Sequence, residues 1–214
     1  MADLGYASAA EALTDIRDRM QRSGRVLSLS GLSGVWAGVC AIAAGLIAYV
    51  KVGLPPFSGV DYATAYVRTY ADPAGLEAFL LLLGTSTLTL AVAGALYFTL
   101  RRARRGGYEV WNAASRAMLV SMLAPLVACG VLVLAHWHHG DYGYSAALTL
   151  VGYGVALLAG ARYTHDELRT LGYLEVALGL LTAFLPGSGI EAWIFGFGVL
   201  HVVYGLLMYR RHGA

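Results

Sequence analysis

The chain is built from long apolar runs broken by short clusters of charged and turn-forming residues. Six runs recur, at roughly 29–50, 77–100, 117–137, 144–163, 169–186 and 190–209. A bilayer core ~30 Å thick is crossed by about 20 predominantly apolar residues in a helix, and each run meets or nearly meets that length. The last two are short, and Pro186-Gly187-Ser188-Gly189 between them is a strong turn signal. They predict a tight helical hairpin. The pattern as a whole predicts an all-α, polytopic membrane protein. A single six-transmembrane-helix bundle covers 29–209, with an arm over 1–28 and a tail over 210–214.

Cationic residues flank these runs unevenly, which predicts an orientation. Arg17, Arg19, Arg22 and Arg25 precede the first span; Arg101, Arg102, Arg104, Arg105 and Arg116 lie between the second and third. Arg162 and Arg169 stand in the fourth link, and Arg210 and Arg211 in the tail. That makes 13 on one side against Lys51 and Arg68 on the other, so both termini are expected in the cytoplasm. The first 25 residues lack the apolar core and cleavage site of a secretory signal, so the first span reads as an uncleaved anchor. Within the arm, Leu13, Ile16 and Met20 recur at helical spacing among charges, predicting an amphipathic helix on the inner leaflet or under the bundle.

The first outer loop carries its own pattern. Asp61 is placed to cap a helix presenting Tyr62, Tyr66 and Tyr70 on one face, ended by Asp72-Pro73. Such a stripe suits the headgroup region as a lid or anchor, and Trp137 and Trp193 are expected at the same boundary, with Trp111 at the inner one.

Small residues recur at spacings of three and four in every span, where close helix approach in lipid requires them. The first span has Gly31, Gly34, Gly38, Ala41 and Gly45; the second has Gly84, Thr87, Ala91 and Gly94. The fifth has Gly172, Glu175, Gly179 and Thr182, at a constant offset from the first. Three repeated helical hairpins would produce this match, as would chance in a chain rich in Gly and Ala. Pro125 falls mid-span in the third run, where a kink is expected.

Composition narrows the function classes. Hydrophobic residues make up 58% and charged residues 13% of 214, about half the charge of a soluble domain. A net charge of +2 implies no general attraction to nucleic acid. Cys40 and Cys129 both lie in apolar runs, where a disulfide framework is not expected.

Two ionisable residues lie deep in the spans, where such groups are costly and face the protein interior or water. At 1.5 Å per residue, Glu175 sits ~9 Å and His201 ~12 Å inside the cytoplasmic ends of adjacent antiparallel spans. Both lie on small-residue seams. The two side chains are therefore expected to meet, as a hydrogen-bonded register lock or as a site for a ligand or proton. An outer loop gathers His136, His138, His139 and Asp141, good donors for Zn²⁺ or Cu²⁺ but without a specific ligand spacing. A bis-His haem is disfavoured because only His201 is deep, His136 and His165 lying near the two edges; one axial His with another ligand stays open. No cofactor is expected, and no phosphate loop, His-Glu-x-x-His helix or dinucleotide fingerprint occurs.

Gly31-Leu32-Ser33-Gly34 resembles the nucleophile segment of rhomboid intramembrane proteases, and His201 in the last span is roughly similar to their catalytic His. The resemblance implies a Ser33–His201 dyad. It departs in placing the motif in the first span, in the helix direction, and in lacking an oxyanion His-x-x-x-Asn segment. The stretches 163–179 and 195–205, with Trp111-Asn112-Ala113-Ala114-Ser115-Arg116, resemble a group of uncharacterised bacterial multi-pass membrane proteins. That resemblance implies a bacterial plasma-membrane location and no activity. The expected function is non-enzymatic: binding, transporting or sensing a small ligand or proton through Glu175 and His201. An accessory subunit of a membrane complex is the alternative. The partners are the lipid bilayer and, through the Gly-rich faces, a second copy or another membrane protein.

Overall fold

The structure, a computed structural model, describes residues 30–212 except 54, 56, 71, 108 and 165. The arm expected around Leu13, Ile16 and Met20, as well as His165, lies outside the described residues. The elements are α1 (Gly31–Val52), α2 (Tyr62–Tyr70), α3 (Pro73–Gly106), α4 (Ala113–His138), α5 (Ser145–Ala161) and α6 (Asp166–Ala183). A 3₁₀ turn (Pro186–Ser188) leads into α7 (Gly189–Trp193), a π-helical stretch (Ile194–Leu200) and α8 (His201–His212). No strand occurs among the described residues.

Four helices are long and apolar enough to cross a membrane: Gly31–Val52, Ala74–Gly106, Ala113–His138 and Gly189–Arg211. The final helix is longer than the apolar run that announced it. Arginines are good helix formers, and Arg211 reaches Glu167 of α6 at 3.0 Å, which ties the helix end down. The shorter helices are α5, with 17 residues, and α6, with 18. Asp166, Glu167, Arg169 and Glu175 interrupt the apolar character of α6.

Local signals account for the helix ends. Oδ2 of Asp61 accepts from the Thr64 backbone N–H at 2.9 Å, capping α2. Asp72 caps α3 through the Gly75 N–H at 2.9 Å, with Pro73 opening that helix. Asn112 and Ser115 exchange bonds in a capping box that starts α4, which then runs on through Pro125. Gly53 and Gly107 end α1 and α3 in the left-handed conformation, at φ 71° and 66°.

Glycine closes two of the helix pairings. A Cβ at Gly34 would lie 3.1 Å from the Gly205 Cα, and one at Gly38 would lie 2.6 Å from the Gly198 carbonyl. The seam of α1 therefore packs on the last helix. The seam of α6 packs on α5: a Cβ at Gly154 would lie 2.8 Å from the Gly172 carbonyl, and one at Gly179 would lie 2.8 Å from the Val151 nitrogen. The second-span seam divides. Gly94 lies under the Trp36 ring of α1, whereas Gly84 has open space before it. Helix α3 packs on α1 and α4 packs on α5, yet α3 and α4 hardly touch each other.

One end of the bundle is bridged by α2. Its tyrosine stripe turns inward: Tyr62 and Tyr66 are buried with Leu76, Val133, Trp137 and Tyr142, and only Tyr70 is exposed. This replaces a wet headgroup anchor with a packed lid. The Tyr62 hydroxyl donates to the Tyr142 carbonyl at 2.7 Å, and burial holds its phenol above the usual tyrosine range. The Tyr70 hydroxyl donates to the Lys51 carbonyl, and the Lys51 ammonium lies 5.0 Å over the Tyr70 ring. Trp137 is likewise buried, its indole N–H donating to Ser145 at 2.7 Å.

Candidate functional site

Glu175 stands on α6 between Gly172 and Gly179, three residues after one and four before the other, so all three share a face. That face meets α5, and the carboxylate is carried into the interior with 0% exposure. The opposite wall is the π-helical stretch. A Cβ at Gly196 would come 2.6 Å from Oε2 of Glu175 and would overlap Leu150, so the absent side chain of Gly196 makes room for the carboxylate.

His201 follows the π stretch and is 5% exposed. Its Nδ1 lies 3.0 Å from the Gly196 carbonyl and 3.4 Å from Oε1 of Glu175. Its Nε2 lies 3.0 Å from the Tyr153 hydroxyl of α5. Facing two oxygen acceptors, Nδ1 is the nitrogen that carries hydrogen, donating to Gly196. Nε2 then accepts from Tyr153, which satisfies a neutral ring on both sides. The Nδ1–H is spent on the carbonyl, so the carboxylate sits within ion-pair distance without a hydrogen bond. Among the described residues neither Glu175 oxygen has a hydrogen-bond partner. Charge-assisted N–H···O bonds run to ~2.7–2.9 Å, so a small ring movement would exchange the carbonyl for the carboxylate.

The π stretch also builds a ladder of rings. Trp193 and Phe197 are 5.2 Å apart, Phe197 and Tyr153 5.1 Å, and Phe197 and His201 6.0 Å between centroids. π-helical turns are rare and often mark functional positions. This one re-aims the Gly196 carbonyl at the imidazole five residues later.

The structure thus brings Glu175 and His201 together. It does not join Ser33 to His201: the Ser33 hydroxyl donates to the Ser30 carbonyl, while both His201 ring nitrogens are engaged elsewhere. The outer histidines do not converge. Nδ1 of His136 lies 3.1 Å from Oδ2 of Asp141, and the rings of His138 and His139 pack edge to face at 5.4 Å. Among the described residues, no three His, Cys, Asp or Glu side chains are grouped to hold a metal ion.

Sequence reasoning passed over three members of the site: Tyr153, Gly196 and Phe197. A signal for Phe197 existed, since Trp193, Phe197 and His201 recur every four residues along one helix face. Tyr153 stands beside Gly154 with no spacing that singles it out, and nothing in the sequence marks the π stretch. Comparison of the chain with protein-family models, with curated proteins and with solved structures finds no match.

Proposed function

We propose that this chain is a six-crossing protein of the bacterial plasma membrane with both termini cytoplasmic, which holds a proton at Glu175 and His201 and couples it to the binding, passage or sensing of a small ligand. The single observation carrying the reading is the buried carboxylate, lacking a hydrogen bond at 3.4 Å from an imidazole nitrogen that is committed to a carbonyl. A group built only to lock helix register would be expected to use its hydrogen-bonding capacity, because an unmet buried polar group is costly. Here the geometry leaves two arrangements of nearly equal reach for the Nδ1 hydrogen. Tyr153 positions the ring from the far side. The topology is supported by the 13-to-2 distribution of cationic residues and by α5 and α6 packing as closely as the longer helices. Three repeated hairpins are supported by the parallel use of two seams, α1 on the last helix and α6 on α5.

The test is infrared spectroscopy of the full chain in lipid vesicles across a pH series. The expected result is a titrating carboxyl band that disappears in Glu175→Gln and shifts in His201→Gln, with both variants folded. An unchanged titration in Glu175→Gln would refute the proton site. Survival of the fold together with loss of a pH-dependent signal separates this role from a register lock, for which the amide should substitute. The topology is tested by single cysteines at Ser188 and Ala214, expected to be labelled from opposite sides of the membrane.

A further inference from the structure

A cavity of about 190 Å³ lies where α3 and α4 fail to meet. Its walls are α1 and α3 on one side and α4, α5 and α7 on the other. Glycine closes α1 on the last helix and α6 on α5, but Gly84 of α3, which lines this cavity, has nothing within 4 Å of the position a Cβ would take, and neither has Gly130 of α4. At one end Tyr62 and the wholly buried Leu76 seal the cavity off beneath the lid. Sideways, between α3 and α4, the lining residue Gly84 is itself exposed, and the outer faces of the two helices carry the exposed Leu82, Leu88 and Val131.

The lining defines the chemistry of the occupant. The hydroxyls of Tyr62, Thr87, Ser145 and Thr149 all donate to backbone carbonyls, and the Trp137 indole donates to Ser145. The remaining wall is almost wholly hydrocarbon. An apolar cavity of ~150 Å³ stays dry and takes up a benzene-sized ligand; this one is larger and opens on a face made for lipid. Left empty it would forfeit dispersion contacts around its whole lining.

We propose that the cavity is a binding site for a segment of one acyl chain of a bilayer phospholipid, which enters sideways between α3 and α4 while the rest of the lipid and its headgroup stay outside. The bilayer holds that hydrocarbon in direct contact with the gap, whereas the lid closes the approach from the aqueous end. Trp193 lines the cavity and begins the ring ladder to His201, so an occupant touches the helix that carries the imidazole.

The test reconstitutes the full chain in phosphatidylcholine/phosphatidylglycerol vesicles containing a phospholipid with a mid-chain diazirine, followed by irradiation and adduct mapping. Adducts are expected on Leu83, Thr87 and Ala48 inside the cavity as well as on outward Leu82 and Leu88. Gly84→Phe, which fills open space, is expected to abolish the inner adducts and spare the outer ones; Ala48→Phe tests the same filling from the facing wall. The proposal is overturned if inner adducts are absent from the wild-type chain or persist in both folded variants. It is equally overturned if the cavity residues are labelled by a free diazirine fatty acid but not by the phospholipid, by a water-soluble diazirine, or by cross-links to a second copy.

Discussion

Among the described residues, two histidine–carboxylate pairs stand at nearly the same separation and in opposite settings. His136 and Asp141 lie 3.1 Å apart within one turn, with side chains 39% and 43% exposed. His201 and Glu175 lie 3.4 Å apart, come from different helices and are 6% and 0% exposed. Distance alone would rank the outer pair first. In water, however, its attraction is screened and its side chains keep alternative partners, so such pairs contribute ~0–1 kcal/mol. The inner pair has no solvent to fall back on. Every unmet hydrogen-bonding position there bears on the fold.

Three single substitutions, the first also combined with a fourth, would break or sharpen that contrast. The largest effect is expected from Gly196→Val, whose side chain must enter the space held by Oε2 of Glu175 and by Leu150. Overpacking of this kind costs about 1–3 kcal/mol or more, read as a lower melting temperature in detergent. Adding Glu175→Ala should recover part of the loss, a coupling of ~0.5–3 kcal/mol between touching residues. A melting temperature equal to that of the wild-type chain would mean that the carboxylate is not seated against Gly196.

A middle-sized effect is expected from Tyr153→Phe, which keeps the ring packed at a tilt against Phe197 but removes the donor to Nε2 of His201. An unsatisfied buried acceptor costs about 1–3 kcal/mol. The distinguishing readout is the ¹⁵N resonance of Nε2, which should lose the signature of an accepted hydrogen bond. An unmoved resonance would remove Tyr153 from the site. The smallest effect belongs to the outer pair: Asp141→Asn should shift stability by less than ~1 kcal/mol and leave the carboxyl titration of the reconstituted protein in place. A larger loss there would erase the contrast.

The same division separates what was legible in the sequence from what was not. The matched depths of Glu175 and His201 were legible because helix rise is constant and turn signals fix the origin of each count. Their inward placement followed from the flanking glycines, since spacing of three and four defines one helix face. Of the three partners around His201, Phe197 was legible from its spacing of four, whereas Tyr153 depends on how α5 approaches and the Gly196 carbonyl depends on a π-helical stretch that no local signal marks. Tyr62 and Tyr66 were legible in part, and the choice between lid and anchor stayed open for a related reason. Their spacing correctly implied one face of α2, but whether that face meets headgroups or protein depends on where the ends of α3 and α4 lie.

The sequence by itself determined the helical, membrane-type character of the protein, the glycine seams and the residues able to carry chemistry. Those are properties of composition and short-range period, which each segment expresses independently of the others. The tertiary structure alone decided that the Nδ1 hydrogen of His201 faces a carbonyl and a carboxylate together, that a π-helical stretch supplies that carbonyl, and that α3 and α4 stay apart. Each is set by packing between segments distant in the chain, where a difference of an ångström separates a closed glycine contact from an open cavity.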